Sequence, residues 1–242
     1  ITLSTLTVSE LAANTTYYFR VGALNWNSVP NYLTLGSTST LANSPAGFAF
    51  SGVFVSSAAL IWNAPSGGAE GYKLQASSTN FNGTGAVLSS ATSDGNQTSL
   101  AVEELLANTT YFFRTGALNW NGALNFSAIL ATSTRAGVVG SPAVSGIFLT
   151  SAAVSWTIPQ QGAEGYELRA SSTNFNGAGA VLSSSSANGG ITGLSVQDLL
   201  VNTTYFFRIG SLNWNNVLNF AVDGASSTLA NVPGSPYFSQ VF

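Results

Sequence analysis

One stretch of fourteen residues is written three times in this chain, and it constrains the fold more than any other feature. NTTYYFRVGALNWN begins at Asn14, NTTYFFRTGALNWN at Asn108 and NTTYFFRIGSLNWN at Asn202, a spacing of 94 residues both times. The register holds across the rest of the unit. Trp62 and Trp156, Tyr72 and Tyr166, and Phe81 and Phe175 stand 94 residues apart. GAEGY recurs at Gly68 and Gly162, and SSTNFNG at Ser77 and Ser171. A unit of this length is too long for one turn of a solenoid and suits a small domain.

The unit has the alternation of β-strands. In YFFRTGALN, Tyr111, Phe113, Thr115 and Ala117 share one face, and Phe112, Arg114, Gly116 and Leu118 share the other. Leu60 and Trp62 share a face in AALIWNAP, which stops at Pro65. GYKLQASS alternates Tyr72, Leu74 and Ala76 against Lys73, Gln75 and Ser77, and SLAVEEL sets Leu100 and Val102 against Ala101 and Glu103. Period 2 with aromatic and β-branched residues, broken by Gly, Pro, Asn and Ser clusters, is the strand pattern. Seven short strands per unit predict an all-β fold of two-sheet sandwiches.

Composition narrows the function classes. Hydrophobic residues make up 45% of the 242, enough for packed cores, while only 6% are charged, against about a quarter in ordinary domains. Ser, Thr, Asn and Gly must therefore solvate the surface. A net charge of -3 with six Lys and Arg residues leaves no basic footprint for nucleic acid. Cys, His and Met are absent, which removes disulfides, Cys or His metal sites and the usual activated nucleophiles. No two acids recur as a facing acid/base pair. No cofactor is expected, nor a membrane span. The neutral surface points outside the cell.

Several anchors resemble the fibronectin type III domain. Leu105 followed six residues later by Tyr111, with the inward alternation ending in ALN, resembles its E–F corner and F strand. Leu11 with Tyr17 and Leu199 with Tyr205 repeat this. Trp62 before Pro65, Trp156 before Pro159, and third strands opening on Tyr72 and Tyr166 are similar to the same family. The resemblance implies seven-stranded immunoglobulin-like sandwiches in tandem. Its phase implies strands E to G of a partial domain in residues 1–41, complete domains in 44–135 and 138–229, and the first strand of another in 230–242, with further repeats on both sides. It also points to large bacterial surface proteins. One departure concerns the F–G loop, where Trp26, Trp120 and Trp214 replace the family's small residues. No RGD occurs.

Each recurring residue has an expected role. Trp62, Trp156, Tyr72 and Tyr166 are core. Tyr17, Tyr111 and Tyr205 are tyrosine-corner residues, each hydroxyl bonding backbone upstream. Asn14, Asn82, Asn96, Asn108, Asn125 and Asn202 match glycosylation sequons, although Asn also suits a left-handed turn. Glu70 and Glu164, without acidic partners, make poor calcium ligands and are expected to be solvated. So are Glu103, Glu104 and Asp198. Trp26, Trp120, Trp214, Phe81 and Phe175 are candidates for contact across the domain junction, for packing on their own sandwich, or for a ligand.

The expected function is a non-catalytic structural region of an extracellular filament, sheath or cell-surface stalk, assembling with copies of itself through neutral surfaces and interdomain aromatics. The alternative is a glycan-binding or spacer module of a larger adhesin or polysaccharide-degrading enzyme.

Overall fold

The computed structural model describes residues 5–234. It has seventeen β-strands and no helix among them. By its contacts the chain forms two units. The first runs to Leu105 and includes Thr110–Thr132. The second takes Leu106–Thr109 and the chain from Ser133 onward.

The first unit opens with a two-stranded sheet of β1 (Thr16–Leu24) and β2 (Pro30–Ser39). A sandwich follows: β3 (Ala46–Val53), β4 (Ala58–Asn63), β5 (Gly71–Ser77), β6 (Val87–Thr92), β7 (Ser99–Val102), β8 (Thr110–Leu118), β9 (Leu124–Phe126) and β10 (Leu130–Ser133). One sheet has the order β3-β4-β7, and the other β10-β8-β5-β6 with β9 on β8. The inward alternation of β4 and β8 supplies Ala58, Leu60, Tyr111 and Phe113 to a core shared with Leu74, Ala76, Val102 and Leu105. Trp62, Tyr72 and Ala117 close one end of it.

The second unit repeats the plan with β11 (Gly140–Ile147), β12 (Ala152–Thr157), β13 (Gly165–Ser171), β14 (Val181–Ser186), β15 (Gly193–Val196), β16 (Thr204–Leu212) and β17 (Leu218–Ser227). Its sheets are β11-β12-β15 and β14-β13-β16-β17. Even the register repeats: Leu60 faces Leu100 across β4 and β7, as Val154 faces Leu194 across β12 and β15.

The expected last strand differs between copies. Ser127 interrupts it by accepting the Thr115 N–H on its hydroxyl at 3.1 Å, splitting β9 from β10. Ala221 stands at the matching position, has no hydroxyl, and β17 runs on. The partial copy departs from expectation too. Strands F and G form as β1 and β2, but residues 5–12 carry no strand. In the complete copies strand E pairs with strand B, and residues 1–41 contain no B. Val8 accordingly stays 58% exposed where its counterpart Val102 is 1% exposed. Of the strand expected in 230–242, residues 230–234 carry none and the rest lie outside the described residues.

Candidate functional site

The Asn-Thr-Thr corner is a left-handed turn. Asn14, Asn108 and Asn202 have φ of 47°, 49° and 49°, a region Asn tolerates better than other side chains. Their backbone N–H groups donate to Leu41, Arg135 and Leu229 carbonyls. The Tyr17 hydroxyl accepts the Ala12 N–H at 2.9 Å, and that of Tyr205 accepts Leu200 N–H at 3.0 Å. Tyr111 and Tyr205 are buried, whereas Tyr17 is half-buried in its incomplete copy.

The corner also holds an acid that sequence reasoning left in solvent. Within the first unit Asn14 Nδ2 donates to Glu70 Oε1 at 3.1 Å. Within the second, Asn108 Nδ2 donates to Glu164 Oε1 at 3.0 Å. Glu70 and Glu164 are anchored through their N–H groups to the Leu118 and Leu212 carbonyls. Charge-assisted bonds of this kind are stronger than neutral ones. They also occupy the nitrogen that a glycan would need on Asn14 and Asn108. Asn125 Nδ2 is engaged as well, on the Ala42 carbonyl at 2.9 Å. Asn82, Asn96 and Asn202 are exposed.

The F–G loops grip the preceding linker. Asn119 Nδ2 donates to the Ser39 and Thr40 carbonyls at 3.2 and 3.0 Å. Asn213 Nδ2 repeats this on Ser133 and Thr134 at 3.2 and 2.9 Å. Each Oδ1 accepts two loop amides, from Asn121 and Ala123 and from Asn215 and Val217. Asn219 matches Asn125, reaching the Ala136 carbonyl at 2.8 Å. The flanking tryptophans do not share this burial. Trp120 and Trp214 are 63% and 62% exposed, and Trp26 projects fully into solvent.

Phe81 and Phe175 each pack on their own sheet. Left-handed φ at Asn80 and Phe81, and at Asn174 and Phe175, folds the loop back over the strand it follows. Ser77 and Ser171 hydroxyls hold the turns through the Phe81 and Phe175 N–H groups. The rings meet arginine. The Arg114 guanidinium lies 4.0 Å from both the Phe81 and Phe126 centroids, and Arg208 lies 4.0 Å from Phe175 and 4.3 Å from Phe220. Arg20 meets Tyr32 at 4.2 Å. The glycine two residues after each arginine makes this possible: a Cβ on Gly210 would stand 2.9 Å from Phe220 Cε1 and 2.7 Å from Leu218 Cδ2.

The two complete faces differ in one partner. Gln75 accepts from Arg114 Nε at 2.9 Å. Arg169 stands at that position in the later copy, directly opposite Arg208, and pairs instead with Glu167 at 2.6 Å. Burial first, then Arg169, lowers the Arg208 pKa from its ordinary value. Arg208 Nε is buried without a partner.

Trp62 and Trp156 lie 4% exposed against Tyr72 and Tyr166, whose rings are fully buried. Burial raises the pKa of both phenols. Among the described residues no group of three His, Cys, Asp or Glu side chains could hold a metal, and no helix is long and apolar enough to cross a membrane.

Comparison with known proteins gives the family of one stretch. The fibronectin type III domain model matches residues 43–133. A two-domain fibronectin type III segment of chicken tenascin is 21% identical, covering 77% of this chain and 100% of that chain at a TM-score of 0.47. The FN1–FN3 domains of chicken CNTN1 are 18% identical, covering 90% of this chain and 76% of that one at a TM-score of 0.35. No curated protein sequence matches the chain. The stretch 43–133 thus matches the fibronectin type III domain, in a chain whose described residues are all-β and arranged in sandwich sheets.

Proposed function

We propose that this chain is a non-catalytic structural region of an extracellular filament, sheath or cell-surface stalk, in which consecutive repeats are tied together by hydrogen bonds. Domains of this family are commonly structural or adhesion modules. The observation that carries the reading is the seam written twice with the same atoms. Asn14 to Glu70 recurs as Asn108 to Glu164, and Asn119 to the Thr40 carbonyl recurs as Asn213 to Thr134. A spacer that only had to be flexible would not need buried amides gripping every linker. A bacterial origin and a place among many further repeats belong to the same proposal, as do the domain limits 1–41, 44–135 and 138–229.

The test is amide relaxation of the intact chain. The β1–β2 hairpin is expected to tumble with the sandwich of its unit, and to move independently when Asn119→Ala is combined with Glu70→Ala. Independent tumbling in the parent protein would remove the support for a restrained junction.

A second reading has its own observation. Trp120 and Trp214 keep more than half of their surface in solvent, beside asparagines, and an exposed aromatic face can stack on a sugar ring. Quenching of tryptophan fluorescence by neutral oligosaccharides, abolished by Trp120→Ser with Trp214→Ser, would favour this glycan-binding role. No response from either tryptophan would leave it without support.

A further inference from the structure

We infer that copies of this chain bind one another laterally, the ring-flanked arginines Arg114 and Arg208 of one copy meeting the corner acids Glu104 and Asp198 of a second. This rests on the assembling role proposed above and names the groups that would do it.

Charge is used sparingly. The chain has six cationic and nine acidic residues. Arg20, Arg114 and Arg208 account for three of the six, at intervals of 94. Glu10, Glu104 and Asp198 keep the same interval. One arginine and one corner acid thus recur in every copy, in a chain where only 6% of residues are charged.

Both members of the pair are built for presentation. Arg114 and Arg208 each lie against two rings, which hold the planar guanidinium and reduce the freedom lost when it binds a carboxylate. Among the described residues neither forms an ion pair; Glu167 acts on Arg208 through space but pairs directly with Arg169. The acids stand on left-handed backbone. Glu10, Glu104 and Asp198 have φ of 64°, 61° and 62°, where Gly or Asn is better suited. All three are exposed and follow the strand E positions. Asp tolerates that backbone better than Glu, and exposure leaves all three carboxylates accessible to a contact outside the chain.

The two surfaces are different, one a sheet face and the other a corner. Their pairing is heterologous, the kind that extends instead of closing on itself. A single exposed ion pair is weak. Pairs repeated along two chains act together, because forming one raises the effective concentration for the next.

Sedimentation velocity of the parent chain across a concentration series at low ionic strength, and again at about 1 M salt where charges are screened within about 3 Å, is the first measurement. Reversible association that weakens at least tenfold in high salt is expected. Arg114→Glu with Arg208→Glu, and separately Glu104→Arg with Asp198→Arg, should each reduce it at least tenfold, and an equimolar mixture of the two variants should restore it. The acid-corner variant leaves the ring-flanked arginines untouched, so its result does not depend on that stack surviving. A monomeric parent, variants that associate like the parent, or a mixture that stays monomeric would each overturn the inference. A monomeric parent whose hairpin still tumbles with its sandwich would overturn lateral pairing while leaving the restrained-junction reading intact.

Discussion

Asn213 offers the sharpest test of the seam. It is 1% exposed, and its side chain makes four hydrogen bonds, two outward to the Ser133 and Thr134 carbonyls and two inward from the Asn215 and Val217 amides. Net values of about 1 kcal/mol per bond, with partners left buried, put Asn213→Ala at about 3–4 kcal/mol. For a domain of this size that is roughly a 12–32 °C fall in melting temperature. Asn213→Asp separates the two halves. It keeps both inward bonds but sets a buried carboxylate against two carbonyls, so it should be at least as harmful at neutral pH. Those carbonyls raise the carboxyl pKa in the folded state, since only the protonated form can donate to them. The stabilising contribution is then present at low pH and lost as pH rises through the folded pKa. Asn213→Asp should regain part of its stability near pH 4, and Asn213→Ala should not. Hydrogen exchange over β16 and β17, with β5 and β8 as internal reference, reads the effect locally. Equal pH dependence in both variants, or a loss below about 1 kcal/mol for Asn213→Ala, would refute the reasoning.

Other outcomes follow from the packing. Trp156→Ala should cost about 3–5 kcal/mol, read as a lower denaturation midpoint for the later sandwich. Gly210→Ala should push Phe220 off Arg208 and cost about 1–3 kcal/mol, visible as changed ring-current shifts at the Arg208 side chain. Burial raises the Tyr72 and Tyr166 phenols above 10.0, so their contribution is complete below that value and fades as pH rises through the folded pKa. Alkaline unfolding should accompany their phenolate absorbance; ionisation without unfolding would contradict their burial.

The sandwich was legible because burial writes a period into sequence. Leu60 and Trp62 alternate with solvated neighbours, and those alternate residues are the ones found inside. The tyrosine corner was legible from Tyr17 and Tyr205 for the same reason, their rings needing the core and their hydroxyls a backbone group. The seam was not. Asn119 and Glu70 have partners distant in sequence, and an asparagine's identity carries no direction. Repetition was the available signal, and for Glu70 it points equally well to a solvated acid. Which of the three expected roles Phe81 and Phe175 take is not legible in sequence, because an aromatic in a loop gives no sign that two successive left-handed residues return it to its own sheet. The glycine seats beside Phe126 and Phe220 were the overlooked clue.

The seam also bears on how such a chain changes length. Asn14 reaches 56 residues forward to Glu70, and Asn119 reaches 79 back to Thr40; both spans are shorter than the 94-residue period. Donor and acceptor each recur at that period, so a window of one period holds one of each wherever it starts. A recombination that inserts or removes one whole period, wherever it cuts, leaves each interior asparagine with a carbonyl or carboxylate to meet. One that slips by a few residues strands buried amides on both sides of the scar. Such a chain tolerates growth and shrinkage in whole steps of 94 residues, and its own hydrogen bonds act as the filter against any other step.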